Sequence, residues 1–387
     1  MSVKPISIVH YWAGCPRKQT SKWLCFLRVV QRCAERGWQN HLVWDQMPSD
    51  RDLWSPFADC GCQFHVHPRA SRNLDWPCVW RTYQMLRRIR ADVFHCHNVH
   101  TSPLIGAALA GVPVRLWSLL SMSPYYEQGI EPRGIHKLAP SVRISCALAT
   151  RTLAIAGAVR SELLRYGVCA SKVTVMPCPV DVESYASASS NGVREALGFA
   201  ESDLVVTTVG QACPVKGWDI LVRAFDAVSR RFPQAHLLLV GRTAAPEAAF
   251  VAELTDLVEK LGLDGKVHFA GERGDIARIL KASDVFAFPS RSEGQGLALT
   301  EAMAARLPCV ASAVGGIPEL ITHGRNGLLF PREDADQLSR HLTALLSDRS
   351  LRDRLGRRAQ QESTRFAMAR YVDEIVDLYE TLSGAAR

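Results

Sequence analysis

The sequence predicts an α/β protein made of two doubly wound, Rossmann-like domains facing one another across a cleft. Three observations lead there. The chain has 387 residues, more than one hydrophobic core usually organises. Short apolar segments alternate with amphipathic ones along most of its length, the pattern of a parallel sheet covered by helices on both faces. A polar stretch near the middle separates two such series. Two open parallel sheets arranged in this way leave a ligand crevice outside the carboxyl ends of their strands.

In the first series residues 6–10 read as a strand. Residues 20–36 carry helical periodicity, and Gly37 follows as a C-terminal stop. Residues 41–44 and 92–97 are strands, with a basic amphipathic helix over 80–90 between them. A small-residue helix over 104–110 ends at Gly111, and residues 114–117, 152–156 and 172–176 complete the strands of this half. The Pro177-Cys-Pro179 triplet and the Ser/Ala-rich stretch after it mark a linker. The domains are accordingly placed at 1–182 and 201–364, with the linker at 183–200. Strands in the second series are expected at 204–209, 236–240, 267–270, 285–288 and 308–312, with helices including 218–231 and 247–261. A last helix over 369–382 lies in a C-terminal segment, 365–387.

Composition narrows the class of protein. With 47% hydrophobic and 22% charged residues the chain is that of a globular protein. It contains no apolar run of 18 residues, so no membrane-spanning helix is expected. The N-terminus lacks a long apolar region and a small-residue cleavage site, so the expected location is the cytoplasm, or the inner face of its membrane. The twelve cysteines are scattered, which fits free thiols in a reducing compartment. The group Cys60, Cys62, His65 and His67 is too crowded for a standard zinc pattern. Residues 1–180 hold 22 Lys+Arg against 10 Asp+Glu, a net of +12, and eight of the nine tryptophans. Basic and aromatic surface together suits a membrane interface or an anionic acceptor. Nucleic acid is not among the expected partners.

Three stretches carry chemistry. In the first, an apolar segment ending at Phe288 and Pro289 leads through Glu293, Gly294, Gln295 and Gly296 into a helix beginning at Leu297. Such a loop leaves free N–H groups at a helix N-terminus, where the macrodipole favours an anion. Glu293 lies beside that anion site, and Glu301 lies about one turn into the helix, within reach of a hydroxyl-rich group. Phosphates on the amides and hydroxyls on the acids describe a nucleotide sugar. In the second, Gly210, Gln211, Lys216 and Gly217 lie between a strand and a helix, a setting in which the lysine suits a phosphate. In the third, His95, His97 and His100 crowd the end of a strand. They have no acidic ligand near them, so no metal is expected. The chain also lacks a complete G-x-G-x-x-G (Leu299 stands in the third glycine's place), a Walker A loop, H-E-x-x-H and G-x-S-x-G.

These stretches resemble the retaining GT-B glycosyltransferases of family 4, also called glycosyl transferases group 1. Glu293 and Glu301 match the E-x7-E signature. Residues 210–217 match G-R-L-x-x-x-K-G, except that Gln211 replaces its arginine, which removes a charge and a bidentate fork. Residues 92–97 match D-V-(V/L)-H-x-H. Residues 311–330 match a V-G-G-x-P-E stretch, and 175–185 match an interdomain segment. The first loop matches least: the family often has two glycines there, and this chain has Gly14 alone, with Arg17 and Lys18 as candidate replacement charges.

The resemblance implies a GT-B fold whose last helix crosses back to the first domain. It implies a donor linked to UDP or GDP, no cofactor, no metal, and displacement from the front face of the sugar. Lys216, Glu293 and His97 would be the catalytic groups. Gly14, Gln211, Lys216, Glu293, Gly294, Gly296, Leu297 and Glu301 would hold the donor, with Glu301 on the ribose and Glu293 on the sugar. The acceptor would be a glycan or lipid-linked molecule in cell-surface polysaccharide or glycolipid synthesis. Two alternatives remain: a nucleotide-sugar epimerase of the same architecture, and a non-catalytic subunit, which Gln211 and the glycine-poor first loop motivate.

Overall fold

The computed structural model describes residues 5–385 apart from 13, 17–18, 69, 71–73, 98–100, 120–139 and 246. It divides into two compact units. One holds the described residues up to Pro179 together with those from Met368, and the other holds those of Val180–Ala367.

The sheet of the first unit contains β1 (Ser7–Trp12), β2 (Gln39–Trp44), β3 (Gln63–Val66), β4 (Val93–His97), β5 (Val114–Leu119), β6 (Arg151–Ala154) and β7 (Val173–Val175). All are parallel, in the order β3-β2-β1-β4-β5-β6-β7. The helix Ser21–Glu35 starts where the Thr20 hydroxyl accepts the amide of Trp23 at 3.2 Å. It buries Trp23, Phe26, Leu27, Val30 and Cys33 at helical spacing. Each such apolar side chain contributes about 1.5–3 kcal/mol on burial.

The C-terminal helix Met368–Ala385 belongs to this unit. Its Met368, Val372, Ile375, Val376 and Tyr379 share a core with Ile8, Val29, Val93 and Leu116. Arg32 with Asp373, and Arg36 with Asp377 and Glu380, form ion pairs along the exposed edge of this contact. Exposed pairs add little beside the burial beneath them.

The second unit contains β8 (Leu204–Val209), β9 (Ala235–Val240), β10 (Val267–Gly271), β11 (Val285–Phe288), β12 (Cys309–Ser312) and β13 (Leu328–Phe330). They are parallel, in the order β10-β9-β8-β11-β12-β13. The strands are nearly continuous Val/Leu/Phe runs because both faces are covered, as in β11, where all four residues are buried.

Residues 183–200, expected as a linker, differ from that expectation. They include most of the helix Val182–Ser187 and all of Val193–Ala196. Tyr185, Val193 and Phe199 are buried in the second unit's cores. Arg194 closes the segment down, donating to Asp284 and to the carbonyls of Ala282 and Asp203. Three apolar anchors and one arginine outweigh the small polar residues that dominate the composition there.

Burial holds several histidines neutral: His10 and His97 are pushed down to about 3, and His41 and His67 to about 4. In an unfolded chain they titrate near 6.5. Their folded pKa is depressed, so their contribution to stability is complete above about pH 6.5 and is lost as pH falls toward 4. The thermal midpoint should therefore be lower at pH 5 than at pH 7.5, and His10→Phe should narrow the gap. A midpoint that held or rose on acidification would contradict the burial.

Candidate functional site

In a doubly wound sheet, ligands bind where the strand order reverses, outside the carboxyl ends of the two central strands. In the second unit the reversal lies between the paired strands β8 and β11. The segments leaving these two strands carry Lys216 and Glu293.

After β8 the chain turns through Pro214–Lys216 to Gly217 and enters the helix Trp218–Arg231. Gly217 has φ 65°, and a Cβ there would lie 2.1 Å from the carbonyl oxygen of Pro289. Only glycine lets this turn close onto the segment following β11. The closure brings Lys216 Nζ to 2.5 Å from Glu293 Oε1 and 5.7 Å from the centroid of the Phe288 ring. The Ser290 hydroxyl donates to the same carboxylate oxygen at 2.8 Å. Glu293 is mostly buried, its side chain 10% exposed, and Lys216 is more open at 26%.

The Glu293 backbone is fixed from a third direction. Gly315 has φ 51°, and a Cβ on it would come 1.8 Å from the Glu293 carbonyl oxygen. That oxygen accepts the Gly316 amide at 3.3 Å. The loop is also anchored by Arg291, which forks onto both oxygens of Asp219 at 2.8 Å and reaches Glu333 at 2.6 Å. Pairing with the two acids pushes its guanidinium pKa above the usual value.

Gly296 (φ 93°) starts the helix Leu297–Ala304, and no side chain caps that end. The amides of the first turn, Leu297 among them, therefore have no partner inside the helix and form an anion-binding end. Glu301 is buried, one turn further on, at 9% exposure.

Gln211 donates from Nε2 to Glu247 Oε1 at 2.8 Å. Arg242 binds the same carboxylate through Nε at 2.9 Å and Nη2 at 2.5 Å, and holds it below the usual carboxylate range. Arg242 follows β9 directly after Gly241, where a Cβ would strike the Gly210 carbonyl at 1.5 Å. A guanidinium thus lies beside the position where the family pattern has one, but it comes from a neighbouring strand and is paired with an acid. Arg242, Glu247, Ser290 and Arg291 were not picked out from the sequence. Their one sequence signal is position, at or just after the carboxyl ends of strands.

The first unit has its own switch point, between β1 and β4. Trp12 and His97 are opposite one another across it. Gly14 follows β1, and the next amide, Cys15, donates to Asp45 at 2.7 Å. Arg17, Lys18 and His100 lie outside the described residues.

His97 packs against His95 with ring centroids 3.8 Å apart, and against Trp12 at 5.2 Å and Phe26 at 5.7 Å. Its Nε2 is buried with no hydrogen-bond partner among the described residues. Burial pushes its pKa down to about 3, so the imidazole is neutral at physiological pH and cannot serve as a cationic acid. Beside it, a cavity of about 300 Å³ is lined by Trp12, Gly14, Trp23, Phe26, Trp44 and Phe57.

Nitrogens of His10, His95 and His97 lie within 4.8 Å of one another, the one group of three among the described residues that could hold a metal ion. Both nitrogens of His95 are already hydrogen-bonded, to Tyr379 and Ser118, and the group includes no carboxylate. The cluster therefore offers a cation two uncommitted imidazoles.

Comparison with known proteins identifies the family and the fold. Residues 190–362 match the model for glycosyl transferases group 1, and residues 25–184 match that for glycosyltransferase family 4. The chain belongs to the GT-B glycosyltransferases of these groups. A D-inositol 3-phosphate glycosyltransferase of Saccharomonospora viridis is 32% identical over 58% of this chain and 54% of its own. The chain thus spans about half the length of that relative. An Escherichia coli UDP-Gal:alpha-D-GlcNAc-diphosphoundecaprenol alpha-1,3-galactosyltransferase is 27% identical over 81% of this chain and 82% of its own. Among solved structures, Anabaena Alr3699/HepE in complex with UDP superimposes with TM-score 0.79 at 22% identity, covering 97% of this chain and 100% of that one. Sucrose-phosphate synthase from Thermosynechococcus elongatus gives TM-score 0.80 at 20% identity, covering 98% and 100%. At these identities the structures share the fold.

Two glycine substitutions test how Glu293 is held. Gly262 has φ 64° in open space, so Gly262→Ala should cost about 1 kcal/mol through conformation alone. Gly315→Ala adds a backbone collision and should cost about 2 kcal/mol or more. By chemical denaturation Gly315→Ala should be the less stable variant, and it alone should lose nucleotide binding. Equal effects would show that Glu293 is not placed by this contact.

Proposed function

We propose that the protein is a retaining, metal-independent glycosyltransferase. It moves a sugar from a UDP- or GDP-linked donor to a glycan or lipid-linked acceptor in cell-surface polysaccharide or glycolipid synthesis. The observation that carries this reading is the Lys216–Glu293 pair beside an uncapped helix end, with Glu301 buried in the following turn. The helix amides and Lys216 take the diphosphate, Glu301 the ribose hydroxyls and Glu293 the sugar hydroxyls. Gln211 completes the donor-binding set of the second unit.

In the reaction the bond between the anomeric carbon and the diphosphate oxygen breaks as the acceptor oxygen bonds to the same face of the sugar. The departing phosphate oxygen takes the acceptor's proton. Negative charge grows on the diphosphate as it leaves, and a preorganised ammonium and helix end are where such charge is best stabilised. Neutral His97 supplies a hydrogen bond to the sugar and no proton.

Two features support an acceptor at a membrane surface. The E. coli relative is named for a diphosphoundecaprenol-linked substrate. The helix Trp76–Ile89 turns Trp76, 61% exposed, and Trp80, 58% exposed, outward, with Tyr83 stacked on Trp80 and Arg87 exposed one turn further along the same stripe. Aromatic and basic groups on one face suit an anionic lipid interface. No helix is long and apolar enough among the described residues to cross a membrane.

Thermal denaturation with UDP, GDP, ADP and their sugars, with and without EDTA, tests the proposal. One base should raise the midpoint, since ligand at 100 times its Kd adds about 2.7 kcal/mol. EDTA should not alter the shift, and Glu301→Ala should abolish it. If no nucleotide moves the midpoint, the transferase reading fails and the non-catalytic one replaces it.

A further inference from the structure

We propose that Tyr379, on the C-terminal helix, is a positioning residue for His97 that acts through His95. The inference rests on the assignment of His97 to the reaction.

His95 and His97 are two apart on β4, so they project from the same face of the sheet. His10 is opposite His95 on β1, and Ser118 is opposite His97 on β5. The C-terminal helix covers this face with Tyr379 among its core residues. The Tyr379 hydroxyl is 2.6 Å from His95 Nδ1, and the Ser118 hydroxyl is 2.7 Å from His95 Nε2. His95 is fully buried, and its ring lies 3.8 Å from that of His97.

Both nitrogens of a buried imidazole are therefore held by hydroxyls from separate elements, and the ring cannot rotate without stranding two polar atoms. Burial keeps the Tyr379 phenol protonated, its pKa well above the usual 10. A phenol is a better donor than an aliphatic alcohol, so Tyr379 donates to Nδ1. The other nitrogen then carries the proton and donates to Ser118 Oγ. His95 becomes a fixed plate against which His97 packs, so the last helix, 284 residues along the chain, sets the ring assigned to the reaction. Such a role explains why a polar tyrosine occupies a core position where phenylalanine would fill nearly the same volume.

The experiment is 15N imidazole NMR of the unliganded full-length protein together with steady-state kinetics. Wild type should show His95 as the Nε2–H tautomer. Tyr379→Phe should shift the His95 and His97 signals and lower kcat about tenfold, with KM for the donor within about twofold. Ser118→Ala, which frees the other nitrogen, should move the same two signals and guards against a Tyr379→Phe protein that folds poorly. Unchanged His97 signals in both variants would overturn the proposal whatever happens to turnover. Full turnover in His97→Ala would instead overturn the underlying assignment of His97, and the NMR coupling separates the two failures.

Discussion

A lysine and a glutamate held 2.5 Å apart at the carboxyl end of a parallel sheet are the constraint around which the second unit is organised. Partly buried charges lose hydration, and their attraction offsets that loss only when geometry is close and the remaining lone pairs are satisfied. Here the geometry comes from backbone. Gly217 and Gly315 each remove a Cβ that would collide with a carbonyl in the segment after β11, at Pro289 and Glu293 respectively. The Ser290 hydroxyl satisfies the carboxylate from a third side, and the Arg291 fork ties down the loop between.

This arrangement leaves the lysine partly open while its partner is nearly closed off. Under the proposed function, a diphosphate competes for the ammonium without unfolding the loop, and the glutamate accepts from a sugar hydroxyl in its place. The uncapped helix end supplies a second, fixed source of positive potential whose strength does not depend on side-chain rotamers. At Gln211 the opposite has happened: its amide is engaged with Glu247, and the nearby guanidinium of Arg242 is neutralised by the same acid. The cations on both segments, Lys216 and Arg242, are thus each paired with an acid.

Much of the fold was legible because its buried strands are short apolar runs bounded by glycine or proline. β8, β11 and the helix Trp218–Arg231 have the bounds read from the sequence. The edge strand β3 was not read, since its Gln-Phe-His-Val residues are half-exposed and carry no apolar run. The helix Arg349–Ser363 was also missed, because it is almost entirely polar and buries only four residues. At the site, residue type and spacing drew attention to Lys216 and Glu293. Their contact with each other was not foreseen, because it depends on two loops meeting 77 residues apart. Tyr379 and Glu247 are invisible to any local pattern for the same reason. Composition showed the tryptophans gathered in the first half, but burial alone separates Trp44 and Trp117, which build core, from the exposed Trp76 and Trp80.

The most direct test of the role given to Lys216 is calorimetric. Binding of the preferred nucleoside diphosphate and of the bare nucleoside would be measured for wild type and Lys216→Met. A charge-assisted contact is worth about 1.5–3 kcal/mol, so diphosphate affinity should fall at least about tenfold while nucleoside affinity stays the same. Equal losses for both ligands, or no loss for either, would show that Lys216 does not hold the phosphates and that the site is organised around something else.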